Sequence, residues 1–286
     1  MRRLFVLSTV SALFPVALVA CGGTKTVPIT AISDAPAKTA AAGSAKLDVT
    51  VVSTSSKSGP TTTSKSGGTT TTTAPAGPTK VTGAVDFKAT AGRFDIAAAS
   101  LGLPAGSGPL QAVLVGQVFY FKGLAGLALP GKPWIKIDLS KIANASGVAS
   151  QLQSLNPNSY LVQLRGVSGA VKEVGKEKVR GDNTTHYSFT VDLDKAAQLA
   201  PADQKAGVEA AAKTVVNKQE PTEVWLDSKG RVRRLKQTVE IASGVLTGTT
   251  NLTLEYFDFG TKVDATPPPA DQTADFTQLL GGLGSG

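Results

Sequence analysis

Cysteine and histidine occur once each in this chain, as Cys21 and His186. A single cysteine excludes an internal disulfide, and one of each excludes a zinc site built from several Cys or His ligands. The two histidines one helical turn apart that a metalloprotease helix needs are also missing. So are the Gly-x-Ser-x-Gly elbow, the Ser-x-x-Lys pair and the phosphate-cradling Gly-Lys-Ser/Thr loop. No βαβ alternation with a glycine fingerprint opening a helix occurs, which disfavours a nucleotide-binding sheet. These absences argue against an enzyme, and no catalytic residue, metal or cofactor is expected. Aromatic residues are scarce, 6%, and charged residues make up 17%. With 41% of its 286 residues hydrophobic, the chain nevertheless has the composition of a folded protein.

What is present shows first at the N-terminus. Arg2-Arg3 precede an apolar stretch from Leu4 to Ala20, which Ser8, Thr9, Ser11 and Pro15 interrupt. A spanning helix needs about 20 apolar residues, so the stretch reads as a secretory signal peptide over residues 1–20. Leu18-Val19-Ala20-Cys21 resembles the bacterial lipobox, in which the cysteine is acylated and becomes the first mature residue. Residues 21–32 then form a lipidated tether. The expected location is the extracytoplasmic side of the cell membrane. Loss of Arg2 and Arg3 leaves 27 basic against 21 acidic residues, a mildly cationic balance suited to an anionic lipid surface.

The mature chain reads as one domain over 33–280, followed by a flexible tail at 281–286. Ser33 or Asp34 caps a helix with Pro36 in its first turn, Ala37 to Ala42 extend it, and Gly43 stops it. Ala45 to Val52 is a strand. Residues 53–79 are Ser, Thr, Gly, Pro and Lys without a large apolar side chain, and read as a disordered insertion between two strands. From Lys80 the period is two. Val81, Val85, Phe87 and Ala89 share one face. Phe94, Ile96 and Ala98 share another after an Ala91-Gly92 turn, and a hairpin turns at Gly116-Gln117. The same alternation recurs around Ile137, from Tyr187 to Leu193, from Leu235 to Ile241 and from Leu252 to Tyr256. Helices are expected at 140–155, 158–165 and 201–217. The whole is α+β, an antiparallel sheet apolar on one face and wet on the other.

His186 falls on the wet face of its strand and reads as a surface histidine. Asp194, where that strand gives way to a helix, reads as a cap. The run Arg231-Val232-Arg233-Arg234 would suit nucleic acid, but the export signal removes the protein from it. No nucleic-acid partner is expected.

The order of several segments carries a family likeness. After the lipobox come Ser44-Ala45-Lys46, paired strands through Gly83 to Ile96, and Pro133-Trp134-Ile135-Lys136-Ile137-Asp138. Tyr160 to Gly166, Thr185 to Leu193, Val224-Trp225-Leu226-Asp227 with Gly230-Arg231-Val232, and Tyr256 to Gly260 follow. Over Ser33 to Leu280 the chain resembles the LppX/LprA/LprF/LprG lipoproteins of actinobacteria, related in fold to the LolA and LolB carriers. The resemblance implies a curved antiparallel half-barrel with helices on its concave face, enclosing a hydrophobic cavity for lipid or glycolipid acyl chains. On the face that alternation turns inward, Val85, Phe87, Phe94, Ile96, Ala98, Leu114 and Ile137 are cavity-lining candidates from the first half. From the second half come Tyr187, Phe189, Val191, Leu235, Val239, Leu252 and Leu254. Small inward residues (Gly83, Ala89, Ala98, Ala112, Gly248) leave volume. The apolar loop at 123–130 supplies rim candidates Leu124, Leu127 and Leu129. The expected function is carriage or presentation of such a ligand by a membrane-anchored monomer, with an envelope transporter as candidate protein partner. The alternative is a structural or regulatory lipoprotein of the same fold with a packed core and a protein partner.

Overall fold

A computed structural model describes residues 25–57, 78–97, 108–123, 129–141, 157–243 and 246–277. Their alternating sequence pattern builds a single sheet of thirteen strands. The first seven are β1 (Lys25–Val27), β2 (Ser44–Lys57), β3 (Thr79–Asp86), β4 (Ala91–Ile96), β5 (Leu110–Val115), β6 (Val118–Lys122) and β7 (Trp134–Asp138). Then come β8 (Val167–Val179), β9 (Asp182–Asp192), β10 (Gln219–Asp227), β11 (Val232–Ser243), β12 (Leu246–Phe257) and β13 (Thr273–Asp275). Across the sheet the order is β1-β8-β9-β10-β11-β12-β2-β3-β4-β5-β6-β7-β13. Two runs of neighbours, β2 to β7 and β8 to β12, keep chain order, and β2 joins them by pairing with β12. Every pair is antiparallel except β13 on β7. β1 and β13 do not meet, so the sheet is open.

Among the described residues five helices accompany it: α1 (Thr30–Ser33), α2 (Ala35–Ala40), α3 (Pro157–Gln163), α4 (Leu193–Leu199) and α5 (Ala202–Thr214). A 3-10 turn, Leu164–Gly166, extends α3 and packs against α4 and β9, while α2 and α5 pack on β11. All of this lies on one face of the sheet, where Ile32, Leu161 and Leu164 join the sheet side chains in one apolar cluster. The α+β class, with helices on one face of an antiparallel sheet, therefore stands.

Local details differ from the sequence reading. The first helix is split: α1 begins at Thr30, and Asp34 stands between α1 and α2 without a side-chain cap. Pro36 does open α2, and Gly43 (φ +83°) follows it. β2 runs on to Lys57, because residues 53–57 pair with β12 although their composition is that of a loop. The turn after β3 occupies 87–90, so Ala91-Gly92 belong to β4, Phe87 leaves the strand and Ala89 is exposed rather than inward. The cap of α4 is Asp192, whose Oδ1 accepts the Lys195 N–H at 3.0 Å. Asp194 instead holds Lys218 at 2.9 Å. β1, β8, β10 and β13 were not among the strands read from alternation. The expected signal peptide, Cys21, most of the expected insertion, Ala98, the helix expected at 140–155 beyond Lys141 and the expected tail lie outside the described residues.

Candidate functional site: the helix-covered face of the sheet

The register of the strands assembles this face row by row. Ile137, Phe119, Leu114, Gly92, Val85 and Ala45 stand side by side in one row. In the next, Ile135, Phe121, Ala112, Phe94, Gly83, Leu47 and Tyr256 continue across from β7 to β12. A third row runs Leu110, Ile96, Val81, Val49, Leu254, Leu235, Val224 and Tyr187, from β5 to β9. The two glycines mark a close approach. A Cβ on Gly92 would come 2.4 Å from the Phe94 ring, and one on Gly83 would come 2.8 Å from it. The ring of Phe94 reaches over both glycines and supplies the apolar surface they lack.

Of the fourteen residues singled out in the sequence, thirteen are described. Val85, Phe94, Ile96, Leu114, Ile137, Phe189, Val191, Leu235, Leu252 and Leu254 are buried in one apolar cluster on this face. Phe87 joins them from its turn by setting its ring edge-on to Tyr256, with centroids 5.6 Å apart. Tyr187 is half-buried against the same cluster, and Val239 is half-buried. Leu129 is 50% exposed beside a bridge to Lys132, while Leu124 and Leu127 fall outside the described residues.

A fourth row interrupts the apolar surface. Val51 and Leu252 are followed by Gln237 and Thr222, then Phe189. Two positions along β10 from Thr222, the Glu220 side chain is also buried. From the helix above, Gln163 accepts a hydrogen bond from Gln237 Nε2 at 3.1 Å. Gln237 Oε1 has no partner, and Glu220 is no closer than 3.5 Å to Gln237 Nε2. Burial raises the Glu220 carboxyl from its ordinary 4.5 to about 7. Burial likewise pushes the Tyr160 hydroxyl up to about 12, with Glu220 adding to the rise, and holds Tyr256 neutral. The sequence reading passed over this cluster. Its signal was there: Glu220 and Thr222 have the same parity as Val224 and Leu226, and Gln237 sits between Leu235 and Val239.

The opposite face is polar and laced with ion pairs. Arg180 bridges Asp48 and Glu255, and Arg234 holds the second oxygen of Glu255 at 2.6 Å. His186 does lie on this face, but it is stacked on Trp225 at 4.0 Å and only 9% exposed. Its Nδ1 is 3.1 Å from Glu177. Burial lowers its pKa below 6.5, opposed by Glu223 and Glu177. A hollow of about 260 Å³ on this side is lined by Glu223, Lys236, Thr238, Asn251 and Thr253, among others. Among the described residues no three of His, Cys, Asp and Glu gather as a metal site.

No family model matches the chain. An uncharacterized 31.2 kDa protein of Streptomyces griseus is 35% identical over 159 residues, covering 52% of this chain and 50% of its own length. A candidate lipoprotein of Streptomyces coelicolor is 30% identical over 160 residues, covering 54% of this chain and 46% of its own. The chain thus spans about half the length of the curated relatives it matches. Among solved structures it is similar to the Mycobacterium tuberculosis lipoprotein LppX, at 16% identity and a TM-score of 0.41 over 82% of this chain and 98% of that one.

Proposed function

We propose that this chain is a lipoprotein of the bacterial envelope, held on the extracytoplasmic side of the cell membrane by acyl chains on Cys21. It binds the acyl chains of a lipid or glycolipid between the sheet and its helices, and carries or presents them across the envelope as a monomer, with an envelope transporter as partner. The observation that carries this reading is the apolar face itself, whose third row continues without a polar side chain from Leu110 to Tyr187 on a sheet left open at both edges. The lipobox and the similarity to a candidate Streptomyces lipoprotein support the anchor. Apolar burial stabilises at about 25 cal/mol per Å², so two long acyl chains would give several kcal/mol after ordering costs.

One observation favours a second reading. Val85, Leu235 and Leu254 are 0% exposed, as they would be in the packed core of a structural or regulatory lipoprotein with a protein partner. Native mass spectrometry of the protein purified from its own host separates the two. A co-purifying lipid is the expected result, and repeated absence of lipid across growth conditions would favour the packed core.

A further inference from the structure

The edge strand β8 carries three lysines that neither the core nor the ion-pair ladder explains, interleaved with Glu173 and with Glu177, which faces His186, and divided between the two faces by a register shift. Lys172, Lys176 and Lys178 are exposed and make no ion pair with a described residue. Between them Val174, at a register shift between Glu173 and Gly175, is unpaired with β9 and 53% exposed. β1 covers β8 only from Val171 to Glu173, so from Val174 onward the outer edge of β8 has no strand partner among the described residues. An edge strand blunted by lysines is a common defence against strand pairing. The position of this edge in the chain adds something more.

Lys25, the first residue of β1, pairs with Glu173. Cys21 lies four residues before it, and four Cα steps of about 3.8 Å reach no farther than about 15 Å. The stretch Val174 to Lys178 is itself about 13 Å long at the usual strand rise. β13, at the other edge, is the last strand in the order and stands across the whole width of the sheet. Resting on the acylated Cys21 of the proposed function, we infer that the β1–β8 edge faces the bilayer, with Lys172, Lys176 and Lys178 contacting anionic lipid headgroups around an interfacial Val174. Lysines next to a membrane are attracted by its negative surface potential, and the attraction fades within a Debye length. A tether this short lets them come within that range.

The test uses the full-length acylated protein in vesicles containing a headgroup-nitroxide lipid. Acylation consumes the Cys21 thiol, so V174C, or D271C beside β13, takes a thiol-reactive fluorophore at one site only. In equal phosphatidylglycerol and phosphatidylcholine we expect at least threefold stronger quenching at 174 than at 271. Replacing the three lysines with glutamine, or omitting phosphatidylglycerol, should halve the quenching at 174. Equal quenching at the two sites would overturn the orientation, and quenching at 174 indifferent to both changes would overturn the headgroup contact. The mass of the N-terminal peptide from the same sample separates this failure from that of the anchor. An unmodified Cys21 refutes the anchor and the inference with it, whereas an acylated Cys21 with equal quenching refutes the inference alone.

Discussion

Glu220 makes stability depend on pH in a direction opposite to that of a salt-bridged carboxylate. The side chain is 4% exposed, and burial alone raises its pKa from 4.5 to about 7. The folded state therefore holds a proton that the unfolded state releases, and stability falls with rising pH wherever the folded state binds more protons. The loss is absent below pH 4.5, accumulates between 4.5 and about 7, and is complete above it. Each pKa unit is worth 1.36 kcal/mol, so the full effect is roughly 3 kcal/mol. For a domain of this size that corresponds to about 6–12 °C in Tm. Glu220→Gln removes the titration and keeps the shape. We expect the variant to match the wild type near pH 4.5 and to exceed it progressively up to pH 8. Thermal unfolding of both proteins followed by circular dichroism at half-unit pH steps measures the difference. A difference in Tm independent of pH would show that Glu220 is hydrated or paired in the folded protein and would refute the reasoning.

Three further outcomes are expected. Cys21→Ala should leave an unprocessed precursor without acyl label, and unchanged labelling and membrane fractionation would exclude the anchor. Because Thr79 pairs with Val51 while β2 continues to Lys57, a replacement for residues 58–77 must reach back about 20 Å. An eight-residue Gly/Ser linker should leave stability within about 1 kcal/mol by loop-closure entropy, and loss of cooperative unfolding in denaturant would show that the segment is structural. Gly83→Ala should destabilise by about 1–3 kcal/mol, since the new Cβ would stand 2.3 Å from the Arg93 carbonyl and 2.8 Å from the Phe94 ring. An unchanged denaturation midpoint would contradict that packing.

The sequence made legible those parts where each strand alternates cleanly and pairs with its chain neighbour. β3 to β7, β9, β11 and β12 show this, as does the set of residues on the apolar face. β8 escaped because its lysines and glycines fall on both parities and two register shifts break its alternation. In β10 the buried Glu220 and Thr222 occupy core positions, so polarity hides a strand that neighbours on both sides cover. The three-residue strands β1 and β13 are too short for any period to show. Residues 53–57 look like a loop but pair with β12, a partner some 200 positions away that no local rule reveals. Asp192 and Asp194 are equally good caps by type, and only the observed backbone, extended at Asp192, decides between them. The polar cluster around Gln237 was missed for a different reason. Its members come from α3, β10 and β11, and only the tertiary fold brings them together.

The seam between β2 and β12 bears on how the chain folds. Apart from the three-residue edge strands β1 and β13, whose partners are some 140 residues away, each half of the sheet is a meander whose strands find partners close in sequence, and such contacts form early and fast. The β2–β12 pairing closes a loop of some 200 residues, a large entropic cost to meet before its twelve residue pairs return anything. We expect two half-sheets to form first, each with one long exposed edge, and to zip together late. Pulse-labelled hydrogen exchange during refolding would then protect Val113 and Thr190 before Val51 and Leu252, and simultaneous protection of all four would mean the sheet assembles in one step. Until the seam closes, β2 and β12 are the hydrophobic edges most open to pairing with another chain. If the chain is exported as proposed, with its strands emerging in order, that interval would last until β12 itself has crossed the membrane.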